Sequence, residues 1–504
     1  MGTKLTRQTI TALHNIVGKE HVVSEGRQIA EAQTATYYSE QKVLGIIRPG
    51  NKNEVCEVLK LASQLKIPLH VYSTGKNWGY GSRISQSSHS LLVELSRMNA
   101  ISDYDEDLGC VTIEPGVTQQ QLYDFLQDKN SPFSVSITGS APDTSVIGNI
   151  CERGVGAGPY GFRSHHISNL EVVLPSGECI HTGFGRFANA KASQSYPEGV
   201  GPSFTDIFLQ SNYGVITKLT MYLLPTPAYS QHIHLEVAKE NDLPTYLKVL
   251  RTFNFCSMAR KSISFRNDMQ FIALATQYPW DATDVTPLPP AVAAQLKKTY
   301  DIGFAWKSTI VIYGYTRQEI AAQISYFKSL SKQLDGVSFS PVYTQNTIGR
   351  MPEAIGNGSY WRMRTPPPGA RNPDADGCGI IRLSIAVPFV AGDILEVIET
   401  MRELISAHQF EPFIEGHCVS ERTVLVISPI IFDRAVAGED NKALRCHDEL
   451  LRALMQKGYY PYRDNGRAAT LFPPSSDDFD AFREIIKNAV DPHSILSPGK
   501  YGIK

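Results

Sequence analysis

A glycine-rich stretch directly after an apolar run constrains this chain more than any other feature. The apolar run, residues 67–72, is typical of a buried strand, and residues 73–82 (STGKNWGYGS) follow it at once. A second glycine-rich run spans residues 146–161. Glycine lets the main chain approach a ligand closely, and its N–H groups can form an anion-binding concavity. Two such loops indicate backbone wrapped around a large anionic cofactor.

Neither loop carries a nicotinamide-type or P-loop signature. No G-x-G-x-x-G lies between a strand and a helix with an acidic residue after it, and no Walker lysine is present. The two loops therefore differ from both of these motif-defined nucleotide sites.

The composition is that of a globular chain with two or more domains. The 504 residues are 42% hydrophobic and carry a formal net charge of −2, which predicts no nucleic-acid partner and no polybasic membrane contact. The N-terminus lacks the apolar core of a signal peptide, and no run is long enough to span a membrane. Eight scattered cysteines without a C-x-x-C pair predict no metal site and a reduced, cytoplasmic setting.

The pattern of strands and helices changes at Pro225. Residues 44–225 alternate strands with helices, whereas the later pattern is typical of an antiparallel sheet with helices on one face. We therefore predict an α+β fold with three parts: a cofactor-binding α/β domain over residues 1–228, a cap domain of antiparallel sheet covered by helices over 229–458, and a C-terminal segment, 459–504, that returns to the first domain.

A set of motifs in fixed order resembles the flavoprotein family of vanillyl-alcohol oxidase and p-cresol methylhydroxylase, over residues 46–502. The motifs are GKNWGYG from Gly75, EPGV from Glu114, SVIGN from Ser145, ERGVG from Glu152 with PYG from Pro159, EVVL from Glu171, SNYGVITK from Ser211, Tyr462-Arg463, and PGK from Pro498. Each motif alone is weak, and the ordered set is specific. The resemblance implies FAD, held by the N-terminal domain and the C-terminal tail, with the cap domain over the flavin ring.

The same resemblance implies which residues hold the cofactor, in the two glycine loops, before the strand at residue 215, and in the tail. They are Ser73, Thr74, Gly75, Lys76, Asn77, Trp78, Gly79, Asp143, Thr144, Ser145, Gly148, Asn149, Glu152, Arg153, Gly154, Gly156, Tyr160, Gly161, Gly214, Val215, Ile216 and Lys500.

The family's chemistry implies a site for a phenolate. A para-substituted phenol binds ionised, a hydride leaves its benzylic carbon for flavin N5, and a quinone methide forms. An arginine and tyrosine hydroxyls stabilise the phenolate, because charge-assisted hydrogen bonds are strong where water is excluded. Tyr80, Tyr462 and Arg463 match these positions. The alternatives are a loop aromatic packed on the flavin edge for Tyr80, and an exposed pair after a turn for Tyr462 and Arg463.

Two positions near the substrate depart from the family pattern. Counting back from the SVIGN motif places Ser140 where the best-studied oxidase has an aspartate, and a serine cannot carry that charge. Ala157 replaces an aromatic residue and leaves room near the substrate. Both changes favour a larger or unusual substrate.

The residues that attach flavin covalently in the family are also replaced. Counting back from Tyr462 places Ile381 where the family has His or Tyr, and Asn77 replaces the histidine used by related flavoproteins. We therefore expect non-covalent FAD, with a thioether to Cys378 as the alternative.

Several other polar residues are candidates for the substrate pocket. His165 and His166 either line the end of a cofactor channel or supply a base, which histidine suits by its pKa near 6.5. Strand alternation places Glu415 and His417 on one face, where they replace the missing base if that face meets the pocket. Arg382 either binds a substrate carboxylate or belongs to a salt-bridged scaffold.

The sequence supports two functions of different class. The first is an FAD-dependent oxidoreductase acting on a para-substituted phenol, by benzylic oxidation or by oxidative decarboxylation or desaturation of a larger, tyrosine-derived phenolic acid. The second is a flavin-binding electron-transfer subunit without phenol chemistry. The electron acceptor is oxygen or a redox protein, and the family implies a homodimer.

Overall fold

The computed structural model describes residues 4–258, 260–344, 357–369 and 371–503. The N-terminal part contains three sheets and five helices. Its strands are β1 (Val22–Val23), β2 (Val43–Ile47), β3 (Leu69–Tyr72), β4 (Ser90–Glu94), β5 (Ile101–Asp105), β6 (Cys110–Ile113), β7 (Phe133–Ser134), β8 (Ile167–Val173), β9 (Cys179–His181), β10 (Val215–Tyr222) and β11 (Leu224–Pro225). Its helices are α1 (Arg7–Val17), α2 (Arg27–Ala32), α3 (Lys52–Leu65), α4 (Gln119–Asp128) and α5 (Val146–Cys151).

The first sheet positions the first glycine loop. Its strand order is β1-β2-β4-β3, with β2, β4 and β3 parallel. The predicted strand before the loop is β3, so the chain leaves the carboxyl end of a parallel strand and enters the loop. Helix α3 begins after Asn51, whose side chain accepts a hydrogen bond from Glu54 N, and it buries Val55, Val58 and Leu59 against the sheet.

The second sheet is antiparallel, with strand order β5-β6-β10-β8-β9. The predicted hairpin is β8–β9, and its turn contains Gly177 at φ +86°. A two-stranded sheet, β11-β7, completes this part.

The cap is built on a seven-stranded antiparallel sheet of order β15-β12-β14-β13-β17-β18-β16. Its strands are β12 (Tyr229–Val237), β13 (Arg260–Asn267), β14 (Trp306–Gly314), β15 (Val337–Phe339), β16 (Cys378–Pro388), β17 (Glu415–Cys418) and β18 (Thr423–Asp433). Its helices are α6 (Leu243–Cys256), α7 (Asp268–Ala275), α8 (Pro290–Thr299), α9 (Arg317–Leu330), α10 (Ala391–Ala407) and α11 (Glu439–Gln456). Helices α6, α9, α10 and α11 bury their apolar stripes against the sheet in one core, which confirms the predicted fold class.

The C-terminal segment passes from the cap to the first sheet. Tyr462 N donates to Ser384 O of β16 at 3.1 Å. Helix α12 (Phe479–Val490) follows, and Leu69 N of β3 then donates to Ile495 O at 2.7 Å. The tail therefore extends the parallel sheet, as predicted. We propose the domain boundaries at 228/229 and 458/459, because β12 begins at residue 229 and α11 ends at residue 456.

Short 3-10 helices link these elements. They cover Lys19–His21, Arg163–His165, Gly183–Arg186, Asp206–Phe208, Glu240–Asp242, Asn357–Tyr360, Ala468–Leu471 and Lys500–Gly502.

Candidate active site

A cavity of about 1520 Å³ lies between the glycine loops and the cap sheet. Both loops, the start of β10, the tail and the faces of β13 and β17 line it. Pockets for single small molecules usually measure roughly 300–1,000 Å³. This cavity is therefore large enough for a dinucleotide-sized cofactor together with a substrate.

The two glycine loops are tied to each other at the base of the cavity. Ser145 N donates to Thr74 Oγ1 at 3.1 Å, and Lys76 Nζ pairs with Asp143 Oδ2 at 2.9 Å. A Cβ on Gly148 would collide with Ser73 Oγ. The loops therefore meet through backbone and short side chains, as a close-fitting cradle for a ligand requires.

Several buried polar atoms that line the cavity have no hydrogen-bond partner among the described residues. They are His70 Nδ1, Thr138 Oγ1, Ser211 Oγ, Asn212 Oδ1 and Arg463 Nε. Buried polar atoms are almost always hydrogen-bonded in native proteins. A polar ligand would supply partners for these atoms, and a flavin dinucleotide offers both donors and acceptors.

The tail contributes an ion pair to this wall. Lys500 Nζ donates to Glu152 Oε1 at 2.8 Å, and Tyr501 OH donates to the other oxygen of Glu152. His70 lies beside them, and its burial, with a smaller effect of Lys500, lowers the pKa of His70 to about 3. The imidazole is therefore neutral, with one ring nitrogen free to bond a ligand.

Four of the residues predicted to bind the cofactor do not line the cavity. Gly79 packs against Arg382, whose Cγ would lie 2.6 Å from an added Cβ. Gly154 fits against the Asn149 amide. The remaining two side chains, those of Asp143 and Arg153, lie in ion pairs with Lys76 and Asp206. These four residues shape the loops, and their assignment to the cofactor stays a prediction. All the other predicted cofactor residues line the cavity.

The three predicted phenolate ligands come together at one end of the cavity. The Arg463 guanidinium carbon lies 4.3 Å from the centre of the Tyr80 ring, and Arg463 Nη2 donates to Asn77 Oδ1 at 2.7 Å. Tyr80 OH and Ser384 Oγ are 2.5 Å apart. We call Tyr80, Tyr462, Arg463 and Ser384 the phenolate clamp.

The charges of the clamp suit an anion. Burial raises the pKa of Tyr462 to about 12, although Arg463 acts in the opposite direction, so the hydroxyl keeps its proton at neutral pH. Burial alone would lower the pKa of Arg463, but Tyr462, Tyr80 and Glu152 together raise it above its ordinary value. The clamp therefore presents a fixed cation beside the protonated Tyr462 hydroxyl.

Ser140 and Ala157 both line the cavity. Ser140 Oγ accepts a hydrogen bond from Thr144 Oγ1 at 2.9 Å. Ala157 is held by its backbone, since its N–H donates to Ile137 O at 2.7 Å. Ala157 is exposed, and the expectation that its small side chain leaves room for substrate stays a prediction.

Glu415 and His417 line the cavity from the cap side, so the predicted face of β17 does meet the pocket. Glu415 Oε2 accepts from Arg266 Nε at 2.8 Å and lies 3.5 Å from His417 Nε2. Burial would raise the pKa of Glu415, but His417 and Arg266 outweigh it and hold the pKa below its ordinary value. Glu415 is therefore an ionised, engaged carboxylate and a weak base.

The assignment of Ile381 to the substrate pocket is wrong. Ile381 is 1% exposed in the hydrophobic core of the cap, because strand alternation turns it away from the face that carries Arg382 and Ser384. Arg382 lines the cavity. It forms no ion pair with any described residue, so the alternative that Arg382 belongs to a salt-bridged scaffold finds no support among these residues.

The remaining candidates lie at the edges of the site. Cys378 does not line the cavity; its Sγ donates to Ser359 O at 2.8 Å, and burial raises the pKa of the thiol to about 12. His165 and His166 line the cavity, and His166 stacks on Tyr160 with ring centres 3.9 Å apart. Burial, with His165, lowers the pKa of His166 to about 4, so this ring is neutral.

Sequence reasoning missed Ser384, Arg266 and His70. Alternation from Arg382 places Ser384 on the same face of β16, so this residue could have been found. Arg266 carries no sequence signal, because its position opposite Glu415 depends on the pairing of β13 with β17. His70 could also have been found. It follows the buried Leu69 on β3, and strand alternation turns its side chain to the opposite face of the sheet.

Two further observations concern the described residues alone. In that part of the chain, no three His, Cys, Asp or Glu side chains are grouped so as to hold a metal ion. None of the helices there has the length and apolar character needed to cross a membrane.

The chain resembles known flavoproteins over nearly its whole length. Residues 43–183 match a family model described as an FAD binding domain. The chain is 35% identical to 1'-carboxy-chondrochloren decarboxylase of Chondromyces crocatus, over 100% of this chain and 98% of that protein. It is 27% identical to the 4-cresol dehydrogenase (hydroxylating) flavoprotein subunit of Pseudomonas putida, over 89% and 86% of the two chains. The structure of p-cresol methylhydroxylase with bound substrate superimposes with a TM-score of 0.89 at 25% identity, covering 99% and 98%.

The cradle, the partnerless polar atoms and these matches define an FAD-dependent oxidoreductase. The chain belongs to the flavoprotein family of vanillyl-alcohol oxidase and p-cresol methylhydroxylase, and FAD is its cofactor.

Proposed function

We propose that the protein oxidises a para-substituted phenol at its benzylic carbon, with the phenol bound as phenolate. The phenolate clamp carries this proposal, since it brings a buried arginine and two tyrosine hydroxyls to one point. FAD, when bound, accepts the hydride that leaves the benzylic carbon.

The residues of the clamp have separate tasks. A free phenol has a pKa near that of tyrosine, about 10, so most of it is neutral at physiological pH. The cationic Arg463 favours the ionised form, and the Tyr80 and Tyr462 hydroxyls donate hydrogen bonds to the oxyanion. Asn77 orients Arg463 through the 2.7 Å bond at Nη2. Negative charge on the phenolate oxygen then promotes loss of the benzylic hydride.

A second candidate is oxidative decarboxylation of a tyrosine-derived phenolic acid. Loss of hydride from the benzylic carbon leaves a quinone methide. The adjacent C–COO⁻ bond then breaks, its electron pair forms the new C=C bond, the ring returns to phenolate, and CO₂ leaves. The similarity to a decarboxylase over the whole chain favours this outcome.

The replacement at Ser140 also favours decarboxylation over addition of water, because addition of water needs a base and Ser140 stands where a relative has an acid. Of the buried carboxylates in the cavity wall, Glu152 is bound by Lys500 and Tyr501, and Glu415 by Arg266. The third, Asp464, has one oxygen without a hydrogen-bond partner among the described residues and is the carboxylate available for addition of water. Loss of CO₂ from the quinone methide needs no such base.

A flavin-binding electron-transfer subunit is the alternative of another class. A protein that only held flavin would have no use for the phenolate clamp. We further propose that FAD is bound non-covalently, that oxygen or a redox protein takes up the electrons, and that the protein is a cytoplasmic homodimer.

The test compares 4-ethylphenol with 4-ethylanisole, its O-methyl ether, under anaerobic conditions. The two compounds share the benzylic carbon, and only the phenol can ionise. We expect the phenol to bleach the flavin absorbance and the ether to leave it unchanged. Bleaching by both compounds would contradict the phenolate mechanism, and bleaching by neither would favour the electron-transfer subunit.

Product analysis separates the two oxidations. N-acetyltyrosine turned over with an electron acceptor should release one CO₂ per reduced flavin and give the N-acetyl enamide. A hydroxylated product that retains the carboxylate would exclude decarboxylation and leave benzylic oxidation in place.

A further inference from the structure

We propose that Arg266 binds the carboxylate of an acidic side chain at the para position of the phenol, and so selects a phenolic acid over a neutral phenol. This inference rests on the proposed phenolate clamp, because the clamp fixes the other end of the substrate.

The register of the cap sheet relates Arg266 to the clamp. Arg266 pairs with Glu415, Glu415 with Ile427, and Ile427 with Ser384. These residues form one row across four strands, and neighbouring strands lie about 4.8 Å apart. The row thus runs from the clamp, past the apolar Ile427, to the Glu415 carboxylate and the Arg266 guanidinium that pairs with it. Because Glu415 is already bound by Arg266, the guanidinium is the group of this pair that can receive the acidic para-substituent of a phenol.

The guanidinium of Arg266 is oriented for a second carboxylate. Its Nε donates to Glu415 Oε2 at 2.8 Å, and no described residue accepts a hydrogen bond from its two terminal nitrogens. The side chain lines the cavity and is 32% exposed. Because two terminal N–H groups of arginine fit a carboxylate in bidentate fashion, this edge is available to an anionic ligand.

Glu415 acts as a support for Arg266. Burial opposes its ionisation, but His417 and Arg266 hold its pKa below the ordinary value. Its negative charge is therefore present at neutral pH and fixes the direction of the guanidinium. We class Glu415 as a positioning residue.

Arg382 is a weaker candidate for binding the substrate carboxylate. Its stem packs on Gly79, between Trp78 and Tyr80 of the first glycine loop. Its charge also lowers the pKa of Tyr462, as one of several contributions. It therefore belongs to the clamp end of the cavity, where the phenolate oxygen is bound.

The experiment uses a matched pair of substrates, N-acetyltyrosine and N-acetyltyramine, which differ only in the carboxylate. Anaerobic flavin reduction is followed in the FAD-loaded parent and in Arg266→Met. We expect kcat/KM for the acid to fall roughly 10- to 100-fold, the range for loss of hydrogen bonds to a charged group. The value for the tyramine should change less than about threefold.

Two further variants serve as controls. Arg402→Met removes an arginine of α10 that has similar exposure and pairs with Glu240 away from the cavity. It should leave the kcat/KM of both substrates unchanged. Arg266→Lys should recover only part of the activity on the acid, since a point charge lacks the planar fork.

The outcomes distinguish this inference from the proposed function. An equal loss on both substrates in Arg266→Met would show a structural role and overturn the inference alone. Flavin reduction by neither substrate in the parent would overturn the proposed function. The affinity for 4-hydroxyphenylpropionate, measured through the change that its binding causes in the flavin spectrum, does not depend on turnover. Equal affinity in parent and Arg266→Met would contradict the carboxylate site.

Discussion

The two walls of the cavity recognise their ligands by different means. The wall formed by the glycine loops presents backbone and short side chains, and a Cβ at Gly148 would already collide with Ser73. The cap wall presents long charged side chains, Arg266, Glu415 and His417, that project from a sheet and form ion pairs. Main-chain groups cannot change with the sequence, whereas side chains on a strand change freely. The first wall therefore suits a fixed cofactor, and the second a substrate that differs among relatives.

The largest effect is expected at the point where the two walls meet. Of the four residues in the phenolate clamp, Arg463 is the cation, and Arg463→Ala removes this charge. Flavin reduction by 4-ethylphenol should slow roughly 10²- to 10³-fold, the loss measured when one donor to a developing oxyanion is removed. Stopped-flow absorbance measures the rate.

FAD affinity serves as the internal control for this variant, because it should change much less than the rate. Arg463→Lys should recover little of the rate, since lysine cannot reproduce the planar fork. A reduction rate equal to that of the parent in Arg463→Ala would contradict the phenolate mechanism.

The next prediction tests the backbone wall. Gly148→Ala places a methyl group against Ser73 Oγ and 3.2 Å from Ser145 Oγ. Overpacking typically costs about 1–3 kcal/mol, so the Kd for FAD should rise roughly 10- to 100-fold. Fluorescence titration of the apoprotein measures it.

A second substitution checks the cause. Ser73→Ala removes the atom that the new methyl group meets, so the double variant should regain part of the lost affinity. Unchanged affinity in Gly148→Ala would mean that the two loops separate more easily than their hydrogen bonds indicate.

A smaller effect is expected at Ala157, which faces the substrate part of the cavity. Close packing leaves few voids in native proteins, so the space beside Ala157 is expected to hold substrate. Ala157→Tyr should slow flavin reduction by N-acetyltyrosine by about tenfold, equivalent to 1.4 kcal/mol, and affect 4-methylphenol less. Equal rates with the large substrate in parent and variant would show that protein atoms fill the space.

The smallest effect is expected for cofactor attachment. Acid precipitation should release all the FAD into the supernatant, because Ile381 is buried away from the cavity and Asn77 bonds Arg463. Cys378→Ser should leave the flavin content unchanged, since burial keeps this thiol protonated. Yellow colour in the pellet that disappears in Cys378→Ser would establish a thioether instead.

The sequence predicted the backbone wall better than the cap wall. β3 leads directly into the first glycine loop, and α5 leads directly into the rest of the second glycine-rich run. Motifs alone therefore located most of the cofactor residues. Gly79 and Gly154 were assigned to the ligand because a motif does not show whether a glycine faces a ligand or another loop.

The cap wall depends on pairing between distant strands. The gap-free count to Ile381 reached the correct strand, and only strand alternation shows that the neighbouring Arg382 faces the cavity. Arg266 and Glu415 are brought together by the register of β13 and β17. A one-residue slip of β13 would turn Arg266 to the core, and a slip of β17 would turn Glu415 there. No local pattern reports that register.

The hydrogen bond between Asn77 and Arg463 joins residues 386 positions apart. During translation the first glycine loop therefore leaves the ribosome long before its partner exists. The tail beside Leu69 arrives later still. A nascent chain that stops within the cap therefore lacks both Arg463 and the tail. The site is complete only at the end of synthesis.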